Sequence, residues 1–182
     1  MGSSSGSLVK SPSDSSKRLS GQRYSTSVYF HAHADSNAEH YEVEEKDLPK
    51  YLTPLIGQDE VITWVAVYKK PLGSWQMTDA LLYHAFVIFQ TQGWWWSIEK
   101  NDQGVTLQRS ETKTFVLDRY RRSPRQSPVE LIKSDEAWCP LKEFADLLYG
   151  THAVGSAYNV MTSNCKHFAK TVFDRLARTE VW

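Results

Sequence analysis

Residues 84–109 read HAFVIFQTQGWWWSIEKNDQGVTLQR, and this stretch decides the fold. The segment from His84 to Phe89 is apolar on both alternating faces, which is typical of a strand in the interior of a sheet. Two clusters of turn-forming residues then separate two further segments, at residues 94–100 and 105–109. Three neighbouring strands joined by short turns predict an antiparallel β-meander.

Weaker patterns outside the meander predict further strands and loops. β-Branched and aromatic residues favour strands at 28–30, 61–68 and 113–117. Polar residues and two prolines predict no regular element from residue 31 to residue 60. The stretch 118–128 contains four arginines and two prolines. It is expected to be a solvated loop, although such a basic loop can also contact phosphate groups or an acidic protein surface.

The helical signals lie near the C-terminal end. Apolar residues recur every three or four positions between Pro140 and Gly150, which predicts one helix. A second helix is expected after a cap at Thr162 or Ser163. It places four residues on one face, namely Cys165, Phe168, Val172 and Leu176. We therefore expect an α+β fold, in which an antiparallel meander packs against a C-terminal helix that carries the cysteine.

Length, composition and net charge limit the kind of protein that this chain can be. The chain has 182 residues, and its aromatic content of 13% supports a well-packed core. Residues 25–182 are expected to form a single domain. Lysine and arginine number 21, as do aspartate and glutamate, so the net charge is zero. Specific binding to nucleic acid is therefore not expected.

The first 24 residues are rich in serine and almost free of apolar side chains, which predicts a disordered tail at 1–24. Gly2 resembles a myristoylation start, although Gly6 stands where the stricter pattern has serine or threonine. Acylation together with the basic residues of the tail would give weak peripheral contact with a membrane. No membrane span or secretory signal is visible, so we expect a cytoplasmic location.

The metal-binding and disulfide patterns are weak. Cys139 and Cys165 are the only cysteines, and neither has the spacing of a zinc site or of a disulfide framework. His31, His33 and His40 lie near Asp35 and could bind a metal, but their spacing fits no familiar site. No cofactor and no metal is expected.

Cys165 is the candidate nucleophile. A thiol at the start of a helix lies near the positive end of the helix dipole, which lowers the thiol pKa and favours the thiolate. The alternative is that Cys165 is a small buried side chain without chemistry, as many free cysteines are. A histidine in reach of the sulfur would favour the nucleophile.

His84 is the expected base. If the first turn of the meander centres between Thr91 and Gln92, Glu99 lies directly across from His84 and can orient the imidazole. A shift of the turn by two residues selects Ser97 or Asn101 instead. His167 follows Cys165 by two positions and points to the other side of the helix, so it is expected to support the fold.

The segment Asn164-Cys165-Lys166-His167-Phe168 resembles a nucleophile motif of two families. The motif reads Asn-Cys-(Glu or Asn)-His-Phe and occurs in lecithin:retinol acyltransferase-like proteins and in the PPPDE thiol isopeptidases. Both are circularly permuted papain-like folds of the NlpC type, in which the histidine strand precedes the cysteine helix. The resemblance covers roughly residues 60–178 and implies a Cys165–His84 site, with Glu99 as the third polar residue.

The resemblance implies a cysteine hydrolase or acyltransferase that forms a thioester on an amide, isopeptide or ester substrate. The substrate would be a protein or a lipid acyl group. Trp96 stands where the acyltransferase relatives carry a second histidine, which favours hydrolysis over lipid acyl transfer. A groove lined by Trp94, Trp95 and Trp96 would favour lipid, whereas packing of these rings on both strand faces is the simpler interpretation. A non-catalytic binding module with the same fold is the alternative, and the oligomeric state is left open.

Overall fold

The computed structural model describes residues 25–36, 40–56, 60–71, 83–156 and 164–179. The predicted tail at 1–24, the acylation start at Gly2 and the expected caps Thr162 and Ser163 lie outside the described residues. Within the described part, no helix is both long enough and apolar enough to cross a membrane.

The chain forms an α+β fold built on one large sheet. In chain order the strands are β1 (Ser27–His31), β2 (His40–Glu44), β3 (Val61–Pro71), β4 (Tyr83–Gln90), β5 (Trp95–Asn101), β6 (Gly104–Ser110), β7 (Arg119–Tyr120), β8 (Ser123–Pro124) and β9 (Glu130–Pro140). The helices are α1 (Thr53–Ile56), α2 (Lys113–Asp118), α3 (Leu141–Gly150) and α4 (Cys165–Leu176), and shorter helical turns occupy residues 45–52.

Seven of the described strands pair in the order β2-β1-β6-β5-β4-β3-β9. The strands β4, β5 and β6 form the predicted antiparallel meander, and β3 pairs with β4 on its other side, so β4 lies in the interior of the sheet. The β1 strand joins β6 in parallel, and all other pairs in this sheet are antiparallel. The α+β prediction and the C-terminal helix that carries Cys165 are therefore confirmed.

The two faces of the sheet differ in chemistry. One face is apolar and packs Val87, Phe89 and Ile98 against α3, α4 and the helical turns before β3. The other face combines a small apolar cluster around Phe86 with buried polar side chains. These polar residues are His84, Ser97, Glu99, Thr106 and Gln108. The stretch 113–125, which comprises α2 and the β7–β8 hairpin, contacts this second face.

The segment predicted as a strand at 113–117 is the helix α2, so that prediction is wrong. One helical turn is enough to place Val116 in the apolar cluster around Phe86. The same turn sets the Lys113 ammonium 4.5 Å from the ring centroid of Trp64 and 4.8 Å from that of Trp95. Packing has overridden the local β-propensity, which is a weak preference.

The stretch 118–128 is not simply a solvated loop. It contains the β7–β8 hairpin, and the side chain of Arg125 is 1% exposed. The turn of the hairpin runs through Arg121 and Arg122, which have positive φ angles of 45° and 69°. Sequence analysis missed this hairpin because its strands contain two residues each, too few to show a pattern.

Sequence analysis also missed β2 and β9. Most residues of β9 are exposed or half-buried, so the strand lacks the apolar alternation that would reveal it. The chain after α4 runs beside β9, where Ala177 bridges Ala137 and the Arg178 N–H donates to the Glu136 carbonyl at 2.8 Å. The predicted helix between Pro140 and Gly150 is confirmed as α3.

Candidate active site

Cys165 is the first residue of α4, and the residue before it forms the cap. Asn164 adopts an extended backbone, and its side-chain oxygen accepts the backbone N–H groups of Lys166 at 2.9 Å and His167 at 3.2 Å. The cap predicted at Thr162 or Ser163 is therefore wrong by one or two positions. Asparagine is a strong capping residue because its short side chain reaches the first-turn N–H groups.

The thiol of Cys165 lies at the start of β4. The residue is 3% exposed, and Sγ is 3.8 Å from the Tyr83 carbonyl oxygen. The side chain of His84 is close enough to Sγ for the two groups to interact, and this contact is among the causes that raise the pKa of His84. The face of α4 that was predicted from the sequence is confirmed, since Phe168, Val172 and Leu176 are buried with Cys165.

His84 lies between Cys165 and Glu99. The residue is 6% exposed, and its Nε2 is 2.8 Å from the Oε2 of Glu99. A carboxylate only accepts, so Nε2 carries the hydrogen and donates it to Glu99. The other ring nitrogen, Nδ1, is therefore the one that faces the Cys165 thiol. The imidazole is held in one tautomer and one orientation by this pair of contacts.

The register between β4 and β5 differs from the prediction by two residues. Val87 pairs with Ile98 and Gln90 with Trp95, so Glu99 lies across from Phe86 rather than from His84. The predicted direct pairing is wrong, but a shift of two keeps Glu99 on the same face as His84. Glutamate reaches the imidazole diagonally across the two strands.

The two alternatives to Glu99 have other surroundings. Asn101 donates from Nδ2 to the Tyr120 hydroxyl at 2.7 Å and accepts the backbone N–H of Gln103. The Ser97 hydroxyl is buried and has no hydrogen-bond partner among the described groups. Glu99 is the residue that contacts His84.

Arg125 forms a buried ion pair with Glu99. Its Nη2 is 2.5 Å from Oε1 and its Nη1 is 3.1 Å from Oε2, and the Glu99 side chain is 3% exposed. Sequence analysis missed this residue. The available signal was indirect, because a glutamate on a buried strand needs a cation and an arginine-rich stretch follows within thirty residues.

These contacts set the charges of the site. Burial by itself lowers the pKa of His84, but its hydrogen bonds to Cys165 and Glu99 and their charges outweigh burial and raise the pKa to about 9. Burial by itself raises the pKa of Glu99, but Arg125 and then His84 lower it to about 2. A protonated His84 beside an ionised Glu99 is the arrangement that stabilises a thiolate at Cys165.

Lysine side chains lie around the site. Lys70 pairs with His84 across β3 and β4, and burial followed by the charge of Arg125 lowers its pKa. The Lys166 ammonium lies 4.0 Å from the ring centroid of Tyr83, and that of Lys69 lies 5.9 Å from it. The side of β4 that bears the thiol is therefore rich in positive charge.

The remaining histidines have other surroundings. His167 is exposed, and its Nδ1 is 3.1 Å from the side-chain oxygen of Asn164, so it contacts the cap rather than the thiol. The His31 ring stacks on His40, and His33 packs on Trp94. Among the described residues, no group of three or more His, Cys, Asp or Glu is placed to hold a metal ion.

Cys139 lies away from this site. It is half-buried near the end of β9 and lines a groove of about 590 Å³ whose wall includes Arg175. Arg175 follows Cys165 by ten residues along α4, about 15 Å along the helix axis. Burial and then Glu143 raise the pKa of the Cys139 thiol to about 11. The two cysteines thus have very different surroundings.

A family model described as the PPPDE putative peptidase domain matches residues 51–181. The chain belongs to this family. The matched region of the PPPDE domain contains His84, Glu99, Arg125 and Cys165, whereas β1 and β2 precede it. No match to the chain is found among curated proteins or among solved structures.

Membership in the PPPDE family confirms one of the two resemblances drawn from the Asn164–Phe168 motif. PPPDE domains are a permuted papain-like cysteine peptidase family, so the chain has the character of a cysteine-peptidase-like hydrolase. The resemblance to lecithin:retinol acyltransferase-like proteins stays a prediction.

Proposed function

We propose that this PPPDE protein is a cysteine hydrolase that cleaves an amide, isopeptide or ester bond through a thioester acyl-enzyme. Cys165 is the nucleophile, His84 the general base and acid, and Glu99 the residue that orients His84. One observation carries the proposal: the thiol at the first position of α4 interacts with an imidazole whose Nε2 donates to a buried carboxylate.

The reaction starts with a proton transfer. Nδ1 of His84 takes the proton of the Cys165 thiol, and the resulting imidazolium is stabilised by Glu99. The sulfur then forms a bond to the carbonyl carbon of the substrate, and the C=O electron pair moves to oxygen. The backbone N–H of Cys165, in the first turn of α4, helps to hold this oxyanion.

Collapse of the tetrahedral adduct breaks the bond to the leaving group. The proton on Nδ1 goes to the departing amine or alcohol, and a thioester is left on Cys165. His84 then removes a proton from water, which attacks the thioester. The acid is released, and the thiol is restored, so the net reaction consumes one water for each bond that is cleaved.

An acceptor other than water would make the same thioester an intermediate of acyl transfer. The family match favours hydrolysis, and so does the packing of the tryptophans. Trp96 is fully buried between Phe30 and Phe89, and Trp95 packs on Trp64. These rings are engaged in packing, which supports a protein amide or isopeptide substrate over a lipid acyl chain.

A thiol nucleophile needs a reducing environment, because oxidation of the sulfur abolishes attack. Cys139 and Cys165 are not joined in a disulfide. We therefore extend the proposal to a cytoplasmic enzyme that acts on a protein substrate. Weak membrane contact through an acylated Gly2 stays a prediction.

The proposal is tested by alkylation of the protein with iodoacetamide, followed by peptide mass spectrometry between about pH 5 and pH 9. Cys165 is expected to react well below the ordinary thiol pKa of about 8.5, whereas Cys139 in the same chain reacts only at alkaline pH. Cys139→Ala is the matched control and should leave the rapid reaction unchanged.

Turnover is measured with a p-nitrophenyl ester and with a peptide that ends in a fluorogenic Gly-Gly amide. Cys165→Ala is expected to abolish cleavage, and His84→Ala to slow it by about 10²- to 10⁴-fold. A mass increase on Cys165 that hydroxylamine removes would identify the thioester, and an added amine that captures the acyl group in place of water would reveal transferase activity. If Cys165 reacts like an ordinary thiol and His84→Ala has no effect, the protein is a binding module.

A further inference from the structure

We propose that Arg125 is a positioning residue of this site, which keeps Glu99 ionised and aligned and thereby allows the thiolate–imidazolium pair to form. The inference rests on the proposed function, since it assigns a role in the same reaction. The guanidinium of Arg125 donates to Glu99 and to the Leu117 carbonyl. It acts through Glu99 and His84.

The ion pair between Arg125 and Glu99 is bidentate, which requires the two parallel N–H donors of a guanidinium group. The guanidinium donates to both carboxylate oxygens of Glu99, at 2.5 Å and 3.1 Å. Oε2 also accepts from Nε2 of His84 at 2.8 Å, so Arg125 and His84 share one oxygen. With two fixed donors on one side, the carboxylate can offer that oxygen to the imidazole in only one orientation.

Arg125 is itself held in place by the stretch that crosses the polar face of the sheet. Its Nε donates to the Leu117 carbonyl at 3.0 Å, and its backbone N–H donates to the Asp118 carbonyl at 2.8 Å. The guanidinium lies 4.1 Å from the ring centroid of Phe86. The α2 helix and the β7–β8 hairpin therefore hold the Arg125 guanidinium at a fixed, buried position beside Glu99.

A count of charges explains why this cation matters to the thiolate. Thiolate, imidazolium, carboxylate and guanidinium together have no net charge. Without Arg125, the same state carries a net negative charge in a buried site, which is unfavourable. Two states relieve it: a thiol beside the His84–Glu99 ion pair, or a protonated Glu99. Each of them lowers the thiolate fraction of Cys165 at a given pH.

Other titratable groups also face the pair, and they do not duplicate the fork. Lys70 from β3 and Tyr120 from β7 are close enough to Glu99 to interact with it electrostatically. Cys165 and Glu99 are the charged groups that act on His84. Among the described residues, Arg125 is the one that donates to both oxygens of Glu99.

The test compares the pH dependence of Cys165 alkylation in the full chain and in Arg125→Gln. We expect the acidic limb of the alkylation rate to move to higher pH by at least about one unit in this variant. Arg119→Gln is the matched control, because Arg119 lies in the same hairpin and donates to the Arg122 carbonyl instead of Glu99. The acidic limb of the alkylation rate of Arg119→Gln should stay at the pH of the unsubstituted protein. Folding of each variant is checked by thermal unfolding.

The possible results separate the two proposals. If the unsubstituted protein has no rapid alkylation of Cys165 at low pH, the proposed function itself fails. If the unsubstituted protein reacts rapidly and folded Arg125→Gln has the same limb, only the role of Arg125 is overturned. A lower folding stability with an unmoved limb is the purely structural outcome, and it also overturns the proposal.

Arg125→Lys keeps the test decisive if the glutamine variant does not fold. Lysine retains the charge but not the fork, so the acidic limb should stay near its place while ester hydrolysis slows. A lysine variant with unchanged hydrolysis would contradict positioning by the fork. In the Glu99→Gln background, Arg125→Lys should slow hydrolysis much less than Arg125→Lys does in the unsubstituted protein. The reason is that the effect of Arg125 on hydrolysis passes through the Glu99 carboxylate.

Discussion

The two ring nitrogens of His84 have different roles in the proposed mechanism. One is hydrogen-bonded to the Glu99 carboxylate, and the other exchanges a proton with Cys165. Nε2 is 2.8 Å from Glu99, so the proton at Nε2 is held, and the proposed mechanism places the proton transfer at Nδ1. The register shift between β4 and β5 did not disturb this arrangement because a two-residue shift conserves the face. The contact between Glu99 and His84 requires that both side chains lie on the same face of the sheet and that the glutamate is long enough. It does not require that the two residues lie directly opposite each other.

Substitution of Glu99 tests this division at the residue scale. The pKa of His84 is raised from 6.5 to about 9, so the imidazolium is present below that range and is lost as the pH rises through about 9. Glu99→Gln removes the anion that favours the charged ring. We therefore expect the alkaline limb of ester hydrolysis to move to lower pH and the maximal rate to fall by about 10²-fold or more.

Glu130→Gln is the control for this prediction. Glu130 pairs with Lys69 at 2.9 Å at the start of β9, and its side chain is largely exposed. Glu130→Gln removes the same charge from the edge strand β9, which does not pair with the strands of His84 or Glu99. An alkaline limb that is identical in Glu99→Gln and in the unsubstituted protein would contradict the assignment of Glu99.

At the scale of elements, α4 performs two tasks with different parts of its length. Its first turn presents Cys165 at the start of β4, and its buried residues further along pack on the apolar face of the sheet. Cys165 itself belongs to neither of the two apolar clusters. The body of the helix thus anchors it on the sheet, and its first residue is the proposed nucleophile.

The Asn164 cap links these tasks, and its removal has a measurable cost. Asn164→Ala is expected to destabilise the protein by about 1 kcal/mol, because two first-turn N–H groups lose their acceptor. The loosened first turn should also slow alkylation of Cys165. Urea unfolding and the alkylation rate give the two quantities.

Asn164→Ser provides the comparison for the cap. Serine can accept the same N–H groups, so most of the stability and of the alkylation rate should be retained. If the alanine and serine variants behave alike, the effect does not come from capping.

At the scale of the whole molecule, the site forms where layers on the two sides of the sheet meet at one end of the interior strands β4 and β5. The layer on the apolar face supplies Cys165 from α4, and the stretch on the polar face supplies Arg125. His84 and Glu99 belong to the sheet between them. No single layer contains all the groups, so the complete site requires the assembled fold.

Lys100 connects the sheet to the chain segment after α3. It is 1% exposed and donates to the carbonyls of Ala153 and Ser156 and to the Ser156 hydroxyl. Lys100→Met would remove the donor from all three acceptors, of which the Ala153 carbonyl belongs to a buried residue. We expect a loss of about 2 kcal/mol or more in the free energy of unfolding.

Lys142→Met is the matched substitution, since Lys142 is exposed on α3. Its free energy of unfolding, measured in urea, should change by less than about 0.5 kcal/mol. Equal effects of the two methionine substitutions would contradict a structural role for the buried ammonium.

Features with a local physical cause were predictable from the amino-acid sequence. Apolar runs and turn residues predicted the meander, and the 3.6-residue periodicity predicted α3 and the buried face of α4. The Asn164–Phe168 motif indicated the family, and parity along two neighbouring strands identified Glu99 as a candidate even though the register was wrong.

Features that depend on contacts between distant parts of the chain became visible only in the folded structure. Three features arise from packing against other elements, and no local sequence pattern predicts them. They are the helical state of 113–118, the polar edge strand β9 and the burial of Arg125. Arg125 is the clearest case. Its sequence surroundings are those of a solvated basic loop, and its position beside Glu99 exists only because the hairpin folds onto the polar face of the sheet.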